Sequence, residues 1–247
     1  TPPLPSLPGR LARVLDAVYR SIPSIAPETF PGTVGEEGIR LVYGGAIAYA
    51  RGNFQETLRC YRALGEEPET RLAAASVALA AGISLGDGSF YSEVEMFLNE
   101  VIRSSEDQGV SVFAELALST ASLSALAPGM VPGWLKDGDF SGLFPQAWPD
   151  AAYKRAKYYQ CLGQYEAMLA VAETALAFCG TGDGLSFPGT YLRLMCAVAC
   201  YAMSRAEAAE FHLLQAMRAN LPFGYLTPFV EQIPACGGTV ERLLERE

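Results

Sequence analysis

The chain has 247 residues, of which 50% are hydrophobic and only 18% are charged. This length and composition exclude a disordered tail and a small disulfide-stapled protein, and they allow one large domain, two small ones or a repeat array. Eighteen basic against 27 acidic side chains give a formal net charge of -9. A net negative charge repels the phosphate backbone of nucleic acids, so we do not expect the chain itself to bind them.

The cysteines and the apolar runs indicate the cellular location of the protein. The six cysteines include no C-x-x-C pair and no tight framework, which is typical of buried thiols in a reducing compartment, and we expect a cytoplasmic protein. The longest nearly apolar run, 72–85, is shorter than the roughly 20 residues that a membrane helix needs, so no membrane contact is predicted. The opening segment, Thr1 to Pro5, lacks the basic and apolar regions of a signal peptide.

The first 37 residues differ in composition from the rest of the chain. Residues 1–8 are rich in proline and are predicted to be a tail, and residues 22–37 form a proline-broken connection. Between them, residues 10–21 predict an amphipathic helix that caps the next part of the chain. Its apolar face consists of Leu11, Val14, Leu15 and Val18.

From residue 38 to residue 221 one pattern recurs: a helix rich in small residues, a break, an aromatic residue and a second amphipathic helix. In the clearest copy, 41–64, the break is Gly52-Asn53 and the aromatic residue is Phe54. Tyr91 follows Phe54 by 37 residues, and Tyr165 follows Tyr91 by 74. The doubled interval predicts a degenerate third copy at about 109–148. The other copies are predicted over 75–101, 149–176 and 190–217.

Runs of alternating β-branched residues are absent, so the sequence predicts an all-α chain. Because no single helical hairpin can bury its own apolar face, the hairpins must stack. We therefore expect a right-handed α-solenoid of about five hairpins that are similar to tetratricopeptide repeats (TPRs). Residues 222–247 are predicted to be a connector that leads out of this array.

Several segments, in this order, resemble the helical-repeat regulatory region of LuxR-type, MalT-like transcriptional regulators. The resemblance spans most of the chain, and its carriers are 46–64 with the Arg51-Gly52-Asn53-Phe54 turn, 81–91, 131–140, 153–166, 191–217 and 221–229. It implies that the repeats sense a small molecule or a partner protein. It also implies that DNA is contacted only through a helix-turn-helix domain that this chain does not contain, with 222–247 leading towards that domain.

The residues that acid-base and nucleotide chemistry require are scarce. His212 is the single histidine, and none of the three lysines follows the glycine pattern of a phosphate-binding P-loop. Cys196 and Cys200 share a helix face and offer half of a metal site, but no further ligand converges on them in the sequence. We therefore expect neither an enzyme nor a cofactor nor a metal.

The first helices of stacked hairpins line a concave groove. Aligning the repeats places six side chains there, and these are the candidate ligand or partner contacts: Tyr49, Tyr153, Lys157, Gln160, Tyr191 and Tyr201. The irregular segment 128–148 adds Trp134 and Trp148. Large apolar side chains in such a segment need a surface to pack on, so the segment either fills the degenerate hairpin or forms a lid over a ligand pocket.

The leading hypothesis is a regulatory domain whose groove binds a small effector, a protein or a peptide and thereby controls an attached DNA-binding domain. The alternative is a constitutive protein-interaction scaffold that senses no signal. Neither the identity of the ligand nor homodimerisation is decided by the sequence.

Overall fold

The computed structural model describes residues 7–19, 37–177, 179 and 186–244. Most of the predicted proline-rich tail and most of the predicted connection after the first helix lie outside these residues, but Leu7 and Pro8 belong to the first helix, which begins three residues earlier than predicted. Within them the chain forms α-helices and short 3₁₀ turns and no strand, so the all-α prediction is confirmed. No helix of this part is both long and apolar enough to span a membrane.

The helices follow one another with short connections. Their bounds are α1 Leu7–Tyr19, α2 Glu37–Ala50, α3 Phe54–Ala63, α4 Pro68–Leu85, α5 Gly88–Ser104, α6 Gln108–Ser124, α7 Gly133–Asp137, α8 Trp148–Cys161, α9 Tyr165–Leu176, α10 Phe187–Ala202, α11 Ala206–Asn220, α12 Thr227–Val230 and α13 Thr239–Leu244.

Polar side chains set where several of these helices begin. Asn53 accepts a hydrogen bond from the amide of Glu56 at 3.3 Å, and Asp87 accepts one from Phe90 at 3.0 Å. Each of these caps satisfies an amide that has no partner within its own helix. Just before Asp87, Gly86 ends α4 at φ 67°, a left-handed conformation that favours glycine. The pair Gly86-Asp87 therefore ends one helix and starts the next.

Consecutive helices pack in pairs, and alternate helices pack in a row. The pairs are α2 with α3, α4 with α5, α8 with α9, and α10 with α11. The helices α2, α4, α6, α8 and α10 also contact one another in that order, so they form one continuous row. After α6 the chain is irregular: α6 contacts the 3₁₀ turn Pro128–Met130, α7 contacts α8, and Val131, Leu135, Leu143 and Ala147 of this stretch are buried.

Small residues allow close packing between α4 and α5. A Cβ atom on Gly82 would lie 3.1 Å from Cδ1 of Phe90, so glycine lets the Phe90 ring sit directly on the α4 backbone. The same ring meets Tyr61 of α3 edge-on, with centroids 5.6 Å apart. Phe90 thus joins the first pair of helices to the second.

Helix α1 covers one side of this row. Leu11, Val14, Leu15 and Val18 are all buried, and α1 packs chiefly against α4. The apolar face that the sequence pattern indicated is therefore the face that contacts the core.

The C-terminal segment 223–231 returns to the first helix of the row. The amide of Leu226 donates to the carbonyl of Ala50 at 2.8 Å, and Nε of Arg51 donates to the carbonyl of Phe223 at 3.1 Å. Helix α12, within this segment, contacts both α2 and α10. The two ends of the row are therefore joined by one short piece of chain.

Replacing Phe90 with alanine should destabilise the fold by about 3 to 5 kcal/mol, because Phe90 is only 1% exposed and its ring fills the space over Gly82. Urea unfolding of the wild type and F90A, followed by circular dichroism, measures the difference.

Phe211→Ala is the matched control, because Phe211 is 55% exposed and its loss should change stability by no more than about 0.5 kcal/mol. Equal effects of the two substitutions would contradict the role assigned to Phe90.

Candidate functional site

One cavity lies along the row of alternate helices. It has a volume of about 320 Å³ and is lined by side chains of α2, α4, α6, α8 and α10, together with Glu231 of the C-terminal segment. This volume is near the lower end of the range for small-molecule sites, about 300 to 1,000 Å³. A pocket built from so many elements brings together residues that are far apart in sequence.

Three tyrosines from three helices form one wall. Tyr49 lies on α2, Tyr153 on α8 and Tyr191 on α10, and the rings of Tyr153 and Tyr191 are 4.7 Å apart. Phe187, one turn before Tyr191, packs edge-on against it at 5.3 Å. Burial raises the pKa of all three hydroxyls, so they are hydrogen-bonding groups rather than acids at neutral pH.

Glu231 brings a carboxylate to this wall. It accepts a hydrogen bond from the Tyr49 hydroxyl and also interacts with the hydroxyl of Tyr191. Glu231 is an exposed residue, but its carboxylate lies among these rings, and the loss of hydration there raises its pKa. The two tyrosine hydroxyls and the charge of Lys157 act in the opposite direction.

Lys154 lies at the bottom of the cavity and is 3% exposed. Its ammonium donates to Ser76 Oγ of α4 at 3.0 Å and to the carbonyl of Leu116 in α6 at 2.8 Å. It also pairs with Asp150, one turn earlier in α8, at 3.1 Å. Burial lowers the pKa of Lys154, while Asp150 partly restores it. With three donors and three partners, this buried cation is fully satisfied.

Lys157 is the second cation of the cavity, and its situation differs. In the part of the chain that the structure describes, its ammonium makes no ion pair within 4 Å and no hydrogen bond. Burial lowers its pKa, and the charge of Glu231 opposes that shift. Tyr153 precedes Lys157 by four residues, so both side chains lie on the face of α8 that lines the cavity. Lys157 therefore offers an unused positive charge.

The rest of the lining combines apolar side chains with hydroxyls. Val77 and Ile83 of α4, Leu123 of α6, Leu126 just after α6 and Pro188 of α10 are apolar, and the hydroxyls belong to Ser76, Ser84, Thr120 and Ser124. Ile83 and Leu126 are large apolar residues that remain exposed. The cavity therefore offers both charged groups and apolar contact surface.

The structure brings together four of the eight residues that the sequence predicted as ligand or partner contacts. Tyr49, Tyr153, Lys157 and Tyr191 all line the cavity, whereas Gln160, Tyr201, Trp134 and Trp148 do not. Tyr201 lies near the end of α10, about three turns from Tyr191, and its hydroxyl lies against Gly237. Gln160 lies two turns beyond Tyr153, near the end of α8.

The two tryptophans also lie away from the cavity. Nε1 of Trp134 donates to Glu115 at 2.7 Å, and its ring meets Phe140 edge-on. Trp148 begins α8 and is exposed. The segment that holds them packs into the core beside α6, where its buried side chains take the place of a second long helix.

Sequence reasoning missed Lys154, Asp150 and Glu231. The sequence does contain a signal for Lys154, because this lysine lies among alanines of α8 that are buried and follows an acidic residue by four positions. A lysine at a core position with such a partner is unusual enough to mark a buried ion pair. Glu231 leaves no local trace, because its contact with Tyr49 spans 182 residues.

His212 and the helical cysteine pair lie outside the cavity lining. His212 is buried on α11, and its Nδ1 lies 3.2 Å from Nη1 of Arg193, so it accepts from that guanidinium as a neutral ring. Cys196 and Cys200 are buried, and burial raises the pKa of Cys196 to about 12. Among the described residues, no group of three or more potential ligands could hold a metal ion.

Comparisons of the chain with protein-family models, curated proteins and solved structures found no significant match. The cavity and its chemistry are therefore the basis for assigning a function.

Replacing Lys154 with methionine should cost about 3 kcal/mol of folding free energy, because it leaves the Asp150 carboxylate without its cation and removes the donor to Ser76 and Leu116. Chemical unfolding in urea gives the value.

Lys136→Met provides the matched control, since Lys136 donates only to the carbonyl of Gly129 in an exposed position. That change should stay within about 0.5 kcal/mol. An unaltered stability of K154M would show that the buried ammonium does not hold the three helices.

His212 should make the protein less stable in mild acid. Burial and the neighbouring Arg193 lower its pKa from 6.5 to about 4. Between these values the unfolded chain binds a proton that the folded chain does not, so the contribution is complete above pH 6.5 and is lost as the pH falls towards 4. The loss amounts to roughly 2 to 3 kcal/mol.

Unfolding of the wild type and His212→Gln at pH 7 and pH 4 isolates this effect, because the carboxylates titrate alike in both proteins. The wild type should lose more stability than H212Q, and identical losses would show that His212 titrates normally.

Proposed function

We propose that this chain is a ligand-sensing regulatory domain, in which the cavity binds a small effector and the C-terminal segment 223–231 carries the response onward. One observation carries the proposal. Tyr49, Tyr153, Lys157 and Tyr191 converge on a cavity that Glu231, a residue of the C-terminal segment, completes. A ligand in contact with Glu231 changes the interactions that hold this segment, and that differential contact is what a regulatory ligand requires.

We further propose that the array is a right-handed α-solenoid of TPR-like hairpins belonging to a LuxR-type, MalT-like regulator. Support comes from the succession of helix pairs, from the row of alternate helices and from the glycine-containing turns at 51–53, 86–87 and 162–164. The DNA-binding helix-turn-helix of such a regulator would then lie in another domain. A cytoplasmic location is consistent with the six free cysteines.

The coupling proceeds through the hydrogen bonds of the C-terminal segment to α2. The amide of Leu226 bonds to Ala50, and the Glu231 carboxylate bonds to Tyr49 on the same helix. An effector that competes with Tyr49 for Glu231 loosens this attachment, and one that bridges Glu231 to α8 tightens it. Either change alters how the chain beyond residue 231 is presented.

The test is thermal unfolding of the purified chain against a panel of amino acids, carboxylic acids, amines, sugars and nucleosides. A ligand at about 100 times its Kd should stabilise the folded state by about 2.7 kcal/mol and raise the midpoint in a dose-dependent way. Lys157→Met should weaken the binding of ligands that carry a negative charge, since it removes the unpaired cation of the cavity. Lys136→Met changes a residue that does not line the cavity and should leave binding unchanged.

Hydrogen exchange of the same samples tests the regulatory part. Binding should change the protection of the Leu226 amide, which donates to Ala50, more than that of capped amides in α5 such as Phe90. Saturable binding without any change at 223–231 would leave a binding domain without a sensor. A panel that produces no shift, together with capture of a defined partner that survives Lys157→Met, would favour the protein-interaction scaffold.

A further inference from the structure

The four ionised side chains of the cavity fall into one closed pair and one open pair. Lys154 and Asp150 form an ion pair at 3.1 Å, and the other two donors of Lys154 are occupied. Lys157 and Glu231 line the same cavity but, among the residues that the structure describes, they form no ion pair within 4 Å. Their formal charges cancel without direct contact.

The two members of the open pair belong to separately anchored parts of the chain. Glu231 is oriented by the hydroxyls of Tyr49 on α2 and Tyr191 on α10, and it belongs to a segment bonded to the end of α2. Lys157 belongs to α8, whose position is fixed through Lys154. The backbone that carries each charge is therefore fixed, and the Lys157 ammonium, which has no hydrogen bond or ion pair among the described residues, is available to a ligand.

The arrangement of these charges discriminates between classes of ligand. An anion drawn to Lys157 also meets the negative charge of Glu231, and a cation drawn to Glu231 meets Lys157. Juxtaposed like charges oppose binding, so a ligand with a single charge gains at one group and loses at the other. A ligand that carries both charges is attracted by both groups.

The remaining surfaces of the cavity set the size and polarity of the ligand. Val77, Ile83, Leu123 and Leu126 offer apolar contacts beside the hydroxyls of Ser84, Thr120 and Ser124, and a volume of about 320 Å³ admits a small molecule. The Tyr153 hydroxyl lies on the same face of α8 as Lys157 and supplies a neutral donor beside its ammonium.

We infer that the cavity binds a small zwitterion with an apolar side chain, which is the charge pattern of a free α-amino acid. Its carboxylate contacts Lys157 and Tyr153, its ammonium contacts Glu231, and its side chain packs on the apolar residues Val77, Ile83 and Leu123. This inference rests on the proposed sensing function, and it adds the chemical class of the effector.

Four probes with related side chains test the charge requirement. L-phenylalanine and L-leucine are zwitterions, N-acetyl-L-phenylalanine keeps only the carboxylate, and L-phenylalaninamide keeps only the ammonium. Thermal unfolding and isothermal titration calorimetry should show saturable binding of at least one zwitterion. The two phenylalanine derivatives should bind about tenfold more weakly or worse than the tighter zwitterion, since each loses one charge contact.

Two variants make the test specific to the open pair. In Glu231→Gln the amide still accepts from Tyr49 but carries no charge, so zwitterion affinity should fall about tenfold and N-acetyl-L-phenylalanine should bind better than to the wild type. In Lys157→Met the reverse should hold, with L-phenylalaninamide gaining affinity. Lys136→Met should reproduce the wild-type order of affinities. Circular dichroism without ligand verifies that each variant is folded.

The outcomes separate this inference from the proposed function. Preferred binding of a singly charged derivative to the wild type, or zwitterion binding that neither variant weakens, would overturn the amino-acid assignment and leave a ligand-sensing cavity. The absence of binding by all four probes, with a hit elsewhere in the broader panel, would also overturn the assignment alone. No binding by any compound would overturn both.

Discussion

The buried ammonium of Lys154 is the interaction on which the centre of the molecule depends. It contacts α4 through Ser76 and α6 through the Leu116 carbonyl, and it is anchored in α8 beside Asp150. A lysine is costly to bury, and the cost is offset only because every donor finds a partner. An apolar side chain at this position could fill the same volume, but it would impose no directional relation among three helices. The spacing of these helices in turn defines the width of the cavity above them.

A second constraint acts at the ends of the row. Without the segment 223–231, which returns to α2, the two ends of the row of alternate helices would not be joined. Its hydrogen bonds to Ala50, Arg51 and Tyr49 place Glu231 over the cavity, so the same contacts close the fold and supply a charged group to the site. The stability of this closure and the electrostatics of the cavity are therefore linked at this point, because a change in the charge or position of Glu231 affects both.

The all-α class and four of the six groove residues could be predicted from the sequence because they depend on local periodicity. Tyr153 and Lys157 are separated by four residues on one helix, and the small-residue positions of successive repeats indicated which face turns inward. Gln160 and Tyr201 lie outside the cavity lining because periodicity fixes the face of a helix but not how far along its axis the cavity extends. Trp134 was an equally natural candidate, yet Glu115 satisfies its indole. Glu231 could not be found, since its position depends on a contact between distant parts of the chain that has no local pattern.

The closure by Glu231 has a consequence for how the site comes into existence. Contacts within and between neighbouring hairpins are local, so they can form while the chain is still being synthesised, whereas the bond from Tyr49 to Glu231 spans 182 residues. A nascent chain that has emerged only as far as α11 can already possess the tyrosines and both lysines, but it has no carboxylate to complete the pocket. The cavity is thus completed last, and a ligand that binds there as proposed would report that the chain has been made and folded through the C-terminal segment.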